Sequence, residues 1–303
     1  MKKLLLLVDS KPYIKANCYQ HQLYSTLRQN FKIKCITSRQ ITQQKPIVLE
    51  QYDCILSVLR QRTLLALRNQ IKVLLQGFPV SVYDQDPWQG FMDDSPYKNS
   101  YFRIADCLNI NNFLVTSNWW SEYLAKQGFS TRFVRMGMLP KYCKLGNPWE
   151  RRGINLGFQG SLHTHRKQFF DELTKWGITV SFFTSAKYKN FLKNLNNIQI
   201  YIHTEQAPWK IDNQWYPRNA LWIKDIEAAA RGCFAIRDYE EESIAYDIDK
   251  IPTIFTYREI KEVPDIIHYI NSLDTLTKNQ MIKQSVEHIK QRADWETVVH
   301  ALQ

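Results

Sequence analysis

One glutamate in the second half of the chain is placed where its carboxylate needs hydrogen-bond donors. Glu227 lies in the segment Tyr216–Asp238, where Pro217 suits the first turn of a helix and Gly232 its end. On a helix with 100° per residue, Glu227 falls at the margin of the apolar face. A carboxylate is costly to bury there unless a partner donates hydrogen bonds to it. The two hydroxyls of a ribose could do so, and a neighbouring lysine or arginine could equally pair with it.

A second segment, Ile154–Lys167, combines a strand, a glycine turn and a basic helix start. Backbone N–H groups near Gly160 and Ser161 could hold an anion at this turn. The cation of Arg166 or Lys167 would stabilise the negative charge that develops on a departing diphosphate. An ordinary β-turn followed by a solvated basic helix fits the same residues.

A third group lies at the end of another predicted strand, in the sequence His203-Thr-Glu205. The carboxyl ends of parallel strands form the edge at which ligands bind in α/β sheets. His203 or Glu205 could therefore orient a substrate hydroxyl. Such a pair can also do no more than satisfy the backbone of a loop.

These residues need a scaffold that brings distant segments together. In the first half, short runs of continuous apolar residues alternate with helical patterns, which is typical of a mostly parallel sheet buried on both faces. Gly137–Gly153 is rich in Gly and Pro and predicts a linker. The first half is predicted to contain the strands Leu4–Val8, Lys32–Thr37, Tyr52–Val58, Val73–Gln76 and Asn112–Ser117.

After the linker the same alternation begins again. The chain is therefore predicted to be an α/β protein of two doubly wound, Rossmann-like domains facing a cleft. We expect the first domain to span residues 1–145 and the second 146–303, with the last helix able to cross back to the first domain. The second half is predicted to contain the strands Ile154–Phe158, Thr179–Phe183, Ile198–His203, Cys233–Arg237 and Thr253–Thr256.

The stretch from Glu227 to Asp238 reads Glu-Ala-Ala-Ala-x-Gly-Cys-Phe-Ala-Ile-x-Asp. It resembles the C-terminal motif of GT-B glycosyltransferases of the "glycosyl transferases group 1" type, and especially the spore-maturation-type branch. The resemblance covers roughly residues 153 to 300. It implies that Glu227 binds the nucleotide ribose and that a basic residue, here Arg166 or Lys167, lies at the pyrophosphate. It also implies that the following loop and helix start hold diphosphate and donor sugar, through Asp238, Tyr239, Glu240, Glu241 and Glu242.

The chain departs from the family pattern at one position. Many members carry a second glutamate eight residues before the first, and this chain has Asn219 there. An amide could hydrogen-bond a sugar hydroxyl, but it supplies no charge.

The resemblance implies a metal-independent glycosyltransferase without a cofactor, which moves a sugar from a nucleoside diphosphate sugar to an acceptor hydroxyl with retention at the anomeric carbon. The second domain would hold the nucleotide and the first the acceptor. Arg166, Lys167 and His203 form the predicted catalytic set, and no metal-binding residue is predicted. A GT-B-shaped sugar-nucleotide epimerase and a non-catalytic nucleic-acid-binding protein remain alternatives.

The sharpest alternative rests on Asp84 and Asp86, which form an Asp-x-Asp pair followed by Pro87. In GT-A glycosyltransferases such a pair binds Mn²⁺ or Mg²⁺ together with the donor diphosphate. That fold leaves the second strand-helix series unexplained. In the GT-B interpretation these aspartates lie on the acceptor side, or Asp84 simply caps a turn.

The net charge of +11 favours anionic partners: nucleic acid, anionic lipid or phosphorylated substrates. Basic residues are spread along the chain without a nucleic-acid-binding motif, which disfavours sequence-directed nucleic-acid binding. We expect a glycan, lipid-linked or other hydroxyl acceptor, with peripheral contact to an anionic membrane as an option.

Six scattered cysteines and no long apolar run predict reduced thiols in a cytoplasmic protein.

Overall fold

The computed structural model of the protein describes residues 1–10, 19–44, 46–184, 187–205, 209–216 and 220–303. The chain forms two compact units. The first consists of Met1–Met136, Pro208–Ala220 and Asp294–Gln303, and the second of Gly137–Ala207 and Leu221–Ala293. The last ten residues therefore belong to the first unit.

The first unit is built on a sheet of parallel strands with helices between them. Its strands are β1 (Lys3–Val8), β2 (Lys32–Thr37), β3 (Cys54–Ser57), β4 (Val80–Asp84), β5 (Ile110–Val115) and β6 (Thr131–Phe133). Its helices in this part of the chain are α1 (Tyr19–Asn30), α2 (Ser38–Thr42), α3 (Gln61–Leu75), α4 (Ser100–Ala105) and α5 (Asn118–Lys126). The strand order is β2-β1-β3-β4-β5-β6. Leu4 to Val8 are all buried in β1, as expected for a strand whose continuous apolar residues are covered on both faces of the sheet.

The remaining strands are β7 (Ile154–Gln159), β8 (Ser181–Phe183), β9 (Ile198–His203), β10 (Trp209–Ile211), β11 (Gln214–Tyr216), β12 (Phe234–Asp238) and β13 (Ile254–Tyr257). The helices are α6 (Thr164–Lys175), α7 (Tyr188–Leu195), α8 (Lys224–Ala229), α9 (Glu242–Ala245), α10 (Val263–Ser272), α11 (Thr275–Gln291) and α12 (Glu296–Leu302). The second unit has a parallel five-stranded sheet in the order β13-β12-β9-β7-β8. Its core joins residues of β7, β9 and β12 to α6, α10 and α11, including Phe158, Ile200, Phe234, Phe170, Ile270 and Ile282.

The hairpin β10–β11 belongs to the first unit, although it lies between β9 and α8 in sequence. Asp212 and Asn213 both have positive φ angles, as a two-residue turn between antiparallel strands requires. The carboxylate of Asp93 accepts hydrogen bonds from both of their backbone N–H groups and pairs with Lys98 at 2.6 Å. The hydrogen bond from Lys98 and these N–H donors lower the pKa of Asp93 to about 2. Asp93 thus holds the turn of the hairpin, and its own N–H donates to Lys210 O of β10.

The predicted strand Val73–Gln76 is wrong, because this segment is the end of α3. Ile71, Leu74 and Leu75 are buried on the same helix as Leu64, which gives the apolar run helical spacing. The helix ends at Gln76, whose φ of 48° places it in the left-handed region. The strand that follows is β4, which is not among the predicted strands.

The helix that carries Glu227 is shorter than predicted. It begins at Lys224 rather than near Pro217, and residues 220–223 precede it without forming a helix. Gly232 follows its end with a φ of +80°, as expected for a glycine after a helix. Pro217 and Asn219 lie outside the described residues.

The described helices and cysteines bear on membrane insertion and on disulfide bonds. Within the described ranges, no helix combines the length and the apolar character that a membrane crossing requires. The cysteines of these ranges, Cys35, Cys54, Cys107, Cys143 and Cys233, are free thiols.

Gly146 provides a test of the packing that joins the linker to the second unit. Its N–H donates to Arg231 O, and a Cβ built on it would lie 2.5 Å from Asn196 Cα. Backbone cannot move aside as a flexible side chain can, so Gly146→Ala should destabilise the fold by about 1–3 kcal/mol. The measurement is urea unfolding followed by circular dichroism.

Gly153→Ala is the matched control, because its added Cβ would meet only Asn197 Nδ2, at 3.5 Å. We expect a change within about 0.5 kcal/mol for this variant. Equal unfolding curves for the two variants would contradict the described packing around Gly146.

Candidate functional site

The second sheet has a topological switch point between β7 and β9. β8 borders β7 on one side of this pair, and β12 followed by β13 borders β9 on the other side. Parallel α/β sheets bind ligands at the carboxyl ends of the strands at such a point. Gln159 ends β7 and His203 ends β9, so the segments singled out from the sequence meet at this edge.

Glu227 is buried within the second unit, with 3% of its surface exposed. The hydroxyl of Tyr188, at the start of α7, donates to its Oε1 at 2.5 Å. Burial raises the pKa of Glu227 to about 7, although the hydrogen bond from Tyr188 and the charge of Lys224 act to lower it. Among the described residues, the hydrogen-bond donor to this carboxylate is therefore a phenol and not the lysine or arginine of the alternative interpretation.

The glycine turn after β7 differs from the predicted anion cradle. The N–H of Gly160 donates to Phe183 O of β8 at 3.3 Å, so it continues the sheet. Ser161 is exposed, and its carbonyl accepts a hydrogen bond from Arg166. Lys224 is a second cation at this turn: its Nζ lies 3.4 Å from Gln159 O and would lie 3.2 Å from a Cβ on Gly160. Lys224 is not among the residues that the sequence predicts for the site.

The two basic residues at the start of α6 have different environments. Arg166 is buried, and its guanidinium donates to Ser161 O, Thr204 O and Glu205 Oε1. It therefore links the turn after β7 to the loop after β9. Lys167 is exposed on the same helix. Of these two residues, Lys167 is therefore the one open to solvent.

His203 and Glu205 form a buried pair at the carboxyl end of β9. Nε2 of His203 lies 2.6 Å from Glu205 Oε1, the same oxygen that accepts from Arg166. The N–H of Glu205 donates to Asp238 Oδ2 at 2.6 Å, which joins this loop to the end of β12. Across the described part of the chain, Nδ1 of His203 has no hydrogen-bond partner. A ligand hydroxyl could pair with it.

The loop after β12 carries a row of acidic side chains in different environments. Asp238, Glu240 and Glu242 are buried, whereas Glu241 is exposed. Tyr239 is half-buried and lies beneath the guanidinium of Arg258, 3.8 Å from its ring centre. Burial raises the pKa of Asp238, and the charges of Arg237 and His203 oppose this rise. Carboxylates suit sugar hydroxyls better than they suit a diphosphate, which they repel.

Arg237 and Asp225 form a fully buried ion pair that the sequence interpretation missed. Arg237 Nη1 lies 2.6 Å from Asp225 Oδ2, and its Nε donates to Asp238 O. Burial alone lowers the pKa of Arg237, but the carboxylates of Asp225, Glu240 and Asp238 outweigh it and raise the pKa. Arg237 stands at a variable position of the motif, so the only sequence signal was a charge inside an apolar strand.

The aspartates of the predicted acceptor side lie in the first unit, at the end of β4. Asp84 Oδ1 accepts from the N–H of Asp86 and its Oδ2 from the hydroxyl of Tyr101. Burial raises the pKa of Asp84, and these hydrogen bonds act against the rise. Asp84 therefore closes a turn, which was one of the alternatives. Over the ranges that the structure describes, no group of three or more His, Cys, Asp or Glu side chains is placed to hold a metal ion.

Comparisons with known proteins identify the fold. No protein-family model matches the chain, and no curated protein matches it. Among solved structures it is similar to HepE of Anabaena in complex with UDP and glucose, at 12% identity and a TM-score of 0.63, covering 99% of this chain and 98% of that one.

Two further solved structures are similar over nearly their whole length. One is the DNA-modifying enzyme β-glucosyltransferase, at 11% identity and a TM-score of 0.65, with 99% of both chains covered. The other is sucrose-phosphate synthase from Thermosynechococcus elongatus, at 10% identity and a TM-score of 0.61, covering 99% of this chain and 97% of that one. The predicted α/β, GT-B fold is confirmed by these matches, and the roles of individual residues stay predictions.

The buried carboxyl of Glu227 predicts a pH dependence of stability. Its pKa is raised from 4.5 to about 7, so the folded protein keeps a proton that the unfolded chain releases between these values. The free energy of unfolding should therefore lose a contribution as the pH rises from about 4.5 to about 7, with little further change above. Glu227→Gln has no such titration. At about 1.4 kcal/mol per pKa unit, the variant should gain on the order of 3 kcal/mol relative to the unmodified protein across this window.

Urea unfolding of both proteins at several pH values measures this difference. The contributions of the other titrating groups are shared by the two proteins, so they cancel when one free energy of unfolding is subtracted from the other. Glu172→Gln is the control and should follow the unmodified protein, because Glu172 is a half-buried carboxylate of α6 that pairs with the exposed Lys175. Parallel pH profiles for Glu227→Gln and the unmodified protein would show that Glu227 titrates normally.

Proposed function

We propose that this chain transfers a sugar from a nucleoside diphosphate sugar to an acceptor hydroxyl. The observation that carries the proposal is the carboxylate of Glu227, buried in the first turn of α8 with a neutral hydrogen-bond donor beside it. A nucleotide ribose offers two hydroxyl donors for such a group. The fold supports the same conclusion, since the HepE structures to which this chain is similar contain UDP, UDP-glucose or UDP with glucose.

The donor is proposed to lie at the carboxyl ends of β7, β9 and β12, with Glu227 on the ribose. A uridine diphosphate sugar is the first donor to test, because the similar HepE structures hold this nucleotide. Lys224 and Lys167 are the cations assigned to the diphosphate. Arg166 acts as a positioning residue, because its guanidinium is already bound to Glu205 and two carbonyls.

The donor sugar is assigned to His203 and to the carboxylates after β12. Nδ1 of His203 and the side chains of Glu240 and Glu242 would bind its hydroxyls. In the reaction, the bond between the anomeric carbon and the β-phosphate oxygen breaks, and a bond from that carbon to the acceptor oxygen forms. The acceptor hydroxyl loses its proton, which the departing diphosphate can take up.

Charge on the departing diphosphate is stabilised in this proposal by lysine side chains in a partly buried site. Turnover without an added divalent cation is therefore part of it. Retention at the anomeric carbon and membership of the group 1 type rest on the motif between Glu227 and Asp238. The acceptor-side role of Asp86, in the first unit, belongs to the same proposal.

A binding cycle with UDP and 2′-deoxy-UDP tests the role of Glu227. If Glu227 accepts from the 2′-hydroxyl, the unmodified protein should bind 2′-deoxy-UDP about tenfold more weakly, because a hydrogen bond to a charged group contributes about 1.5–3 kcal/mol. Glu227→Gln should bind UDP at least about tenfold more weakly and should discriminate much less between the two nucleotides. Calorimetric titration with EDTA present measures all four affinities.

Glu172→Gln should discriminate between the two nucleotides as the unmodified protein does. GDP and CMP serve as comparison nucleotides, and the release of UDP from UDP-glucose in the presence of acceptors measures turnover. The proposal fails if nucleotide binding requires a divalent cation and is lost in Asp86→Ala while Glu227→Gln binds normally. Consumption of UDP-glucose with no dependence on an acceptor would instead indicate an epimerase.

A further inference from the structure

The first unit contains a polar cavity of about 340 Å³ at the carboxyl ends of β3 and β4. This volume lies at the lower end of the range for small-molecule sites, which is about 300–1,000 Å³. Its walls combine guanidinium, amide and carboxylate groups, among them Arg60, Gln61, Arg62, Gln85, Asp86 and Gln89. The cavity thus offers both cations and neutral hydrogen-bonding groups.

The start of α3 forms the cationic wall of this cavity. The helix has 15 residues, and its first turn holds Arg62 and no acidic residue, although acidic side chains are favoured at that end. Arg60, at the N-cap, makes no side-chain cap hydrogen bond and has 64% of its side chain exposed. Its backbone N–H donates to Asp9 Oδ2, and its Nε lies 3.9 Å from the same oxygen. Two guanidinium groups therefore lie beside the positive end of a long helix.

Gln61 is an independent indication of a ligand. It lines the cavity, and only 7% of its surface is exposed. Neither its amide nitrogen nor its amide oxygen has a hydrogen-bond partner among the described residues. A buried polar group without a partner costs about 1–3 kcal/mol. A ligand that both donates and accepts hydrogen bonds would satisfy both atoms.

The distribution of charge favours an anionic ligand in this unit. The first unit has 20 basic and 12 acidic residues, a formal charge of +8, whereas the second has 20 basic and 17 acidic residues, a charge of +3. The carboxylates in and beside the cavity are partly engaged, since Asp84 closes its turn and Asp9 faces Arg60. Asp86 also lines the cavity and can accept a hydrogen bond from a hydroxyl.

We infer that this cavity binds a phosphorylated sugar, with its phosphate on Arg60, Arg62 and the first turn of α3 and its hydroxyls on Gln61 and Asp86. The inference rests on the proposed function, in which this molecule is the acceptor. Phosphate is the anion that suits a helix start flanked by guanidinium groups. The small volume favours a single phosphorylated sugar over a nucleic-acid duplex.

Calorimetric titration of the full chain with glucose 6-phosphate tests the inference, and no nucleotide sugar needs to be present. Glucose, which lacks the phosphate and its charge, is the comparison ligand. We expect glucose 6-phosphate to bind and glucose to bind at least about tenfold more weakly, which corresponds to about 1.4 kcal/mol. Arg60→Gln and Arg62→Gln should each weaken glucose 6-phosphate binding by about tenfold. Lys72→Gln removes the same charge from the exposed far end of α3 and should change the affinity less than about twofold.

Gln61→Leu separates a binding role from a structural one. It removes the amide at nearly constant volume, so we expect weaker glucose 6-phosphate binding together with an unchanged or higher melting temperature. A lower melting temperature with unchanged binding would overturn the role of Gln61. The variants of this cavity should bind UDP as the unmodified protein does, whereas Glu227→Gln should bind it more weakly. A failure of the acceptor inference can therefore be distinguished from a failure of the proposed donor site.

Three results would overturn the inference as a whole. The first is equal affinity for glucose and glucose 6-phosphate. The second is an effect of Lys72→Gln as large as those of Arg60→Gln and Arg62→Gln, which would indicate nonspecific attraction. The third is duplex DNA binding that depends on these arginines in the absence of any glucose 6-phosphate binding, because it would assign the site to nucleic acid.

Discussion

The carboxyl edge of the second sheet is organised by the need to balance buried charge. An unpaired charge out of water costs several kcal/mol, so each buried acid there requires a donor. Asp225 of α8 pairs with Arg237 of β12, and Glu205 pairs with Arg166 of α6. Because Arg166 also binds carbonyls after β7 and β9, these interactions fix the loops of three neighbouring strands relative to one another. A ligand at this edge would therefore meet groups that are already positioned.

The charge of Glu227 is compensated incompletely within the protein, and that is why this residue matters. Tyr188 fills one of the roughly four acceptor positions of its carboxylate with a neutral hydroxyl, and the raised pKa reflects the incomplete compensation. Hydroxyl donors from a ligand would favour its ionised form. Arg166 and Lys224 are held differently: the guanidinium of Arg166 donates to Glu205 and to two carbonyls, whereas the ammonium of Lys224 donates to Gln159 O at the turn after β7.

Much of this architecture could be predicted from the sequence. Continuous apolar runs identified most of the strands, and the motif from Glu227 to Asp238 led to the GT-B fold. The errors have physical causes. Val73–Gln76 looked like a strand because the apolar end of a helix, with Leu74 and Leu75 buried and Val73 exposed, can have the composition of a short strand. The hairpin at Asp212 and Asn213 was not predicted. The partners of Arg166, Arg237 and Gln61 depend on contacts between distant segments, which spacing along one segment does not encode.

A crystal structure of the protein with bound UDP would test the central claim most directly. We predict that the nucleotide lies in the second unit at the carboxyl ends of β7 and β9, with ribose hydroxyls within about 3 Å of the Glu227 carboxylate. A nucleotide bound in the first unit, with its diphosphate and a divalent cation at Asp84 and Asp86, would contradict the assignment of the donor site.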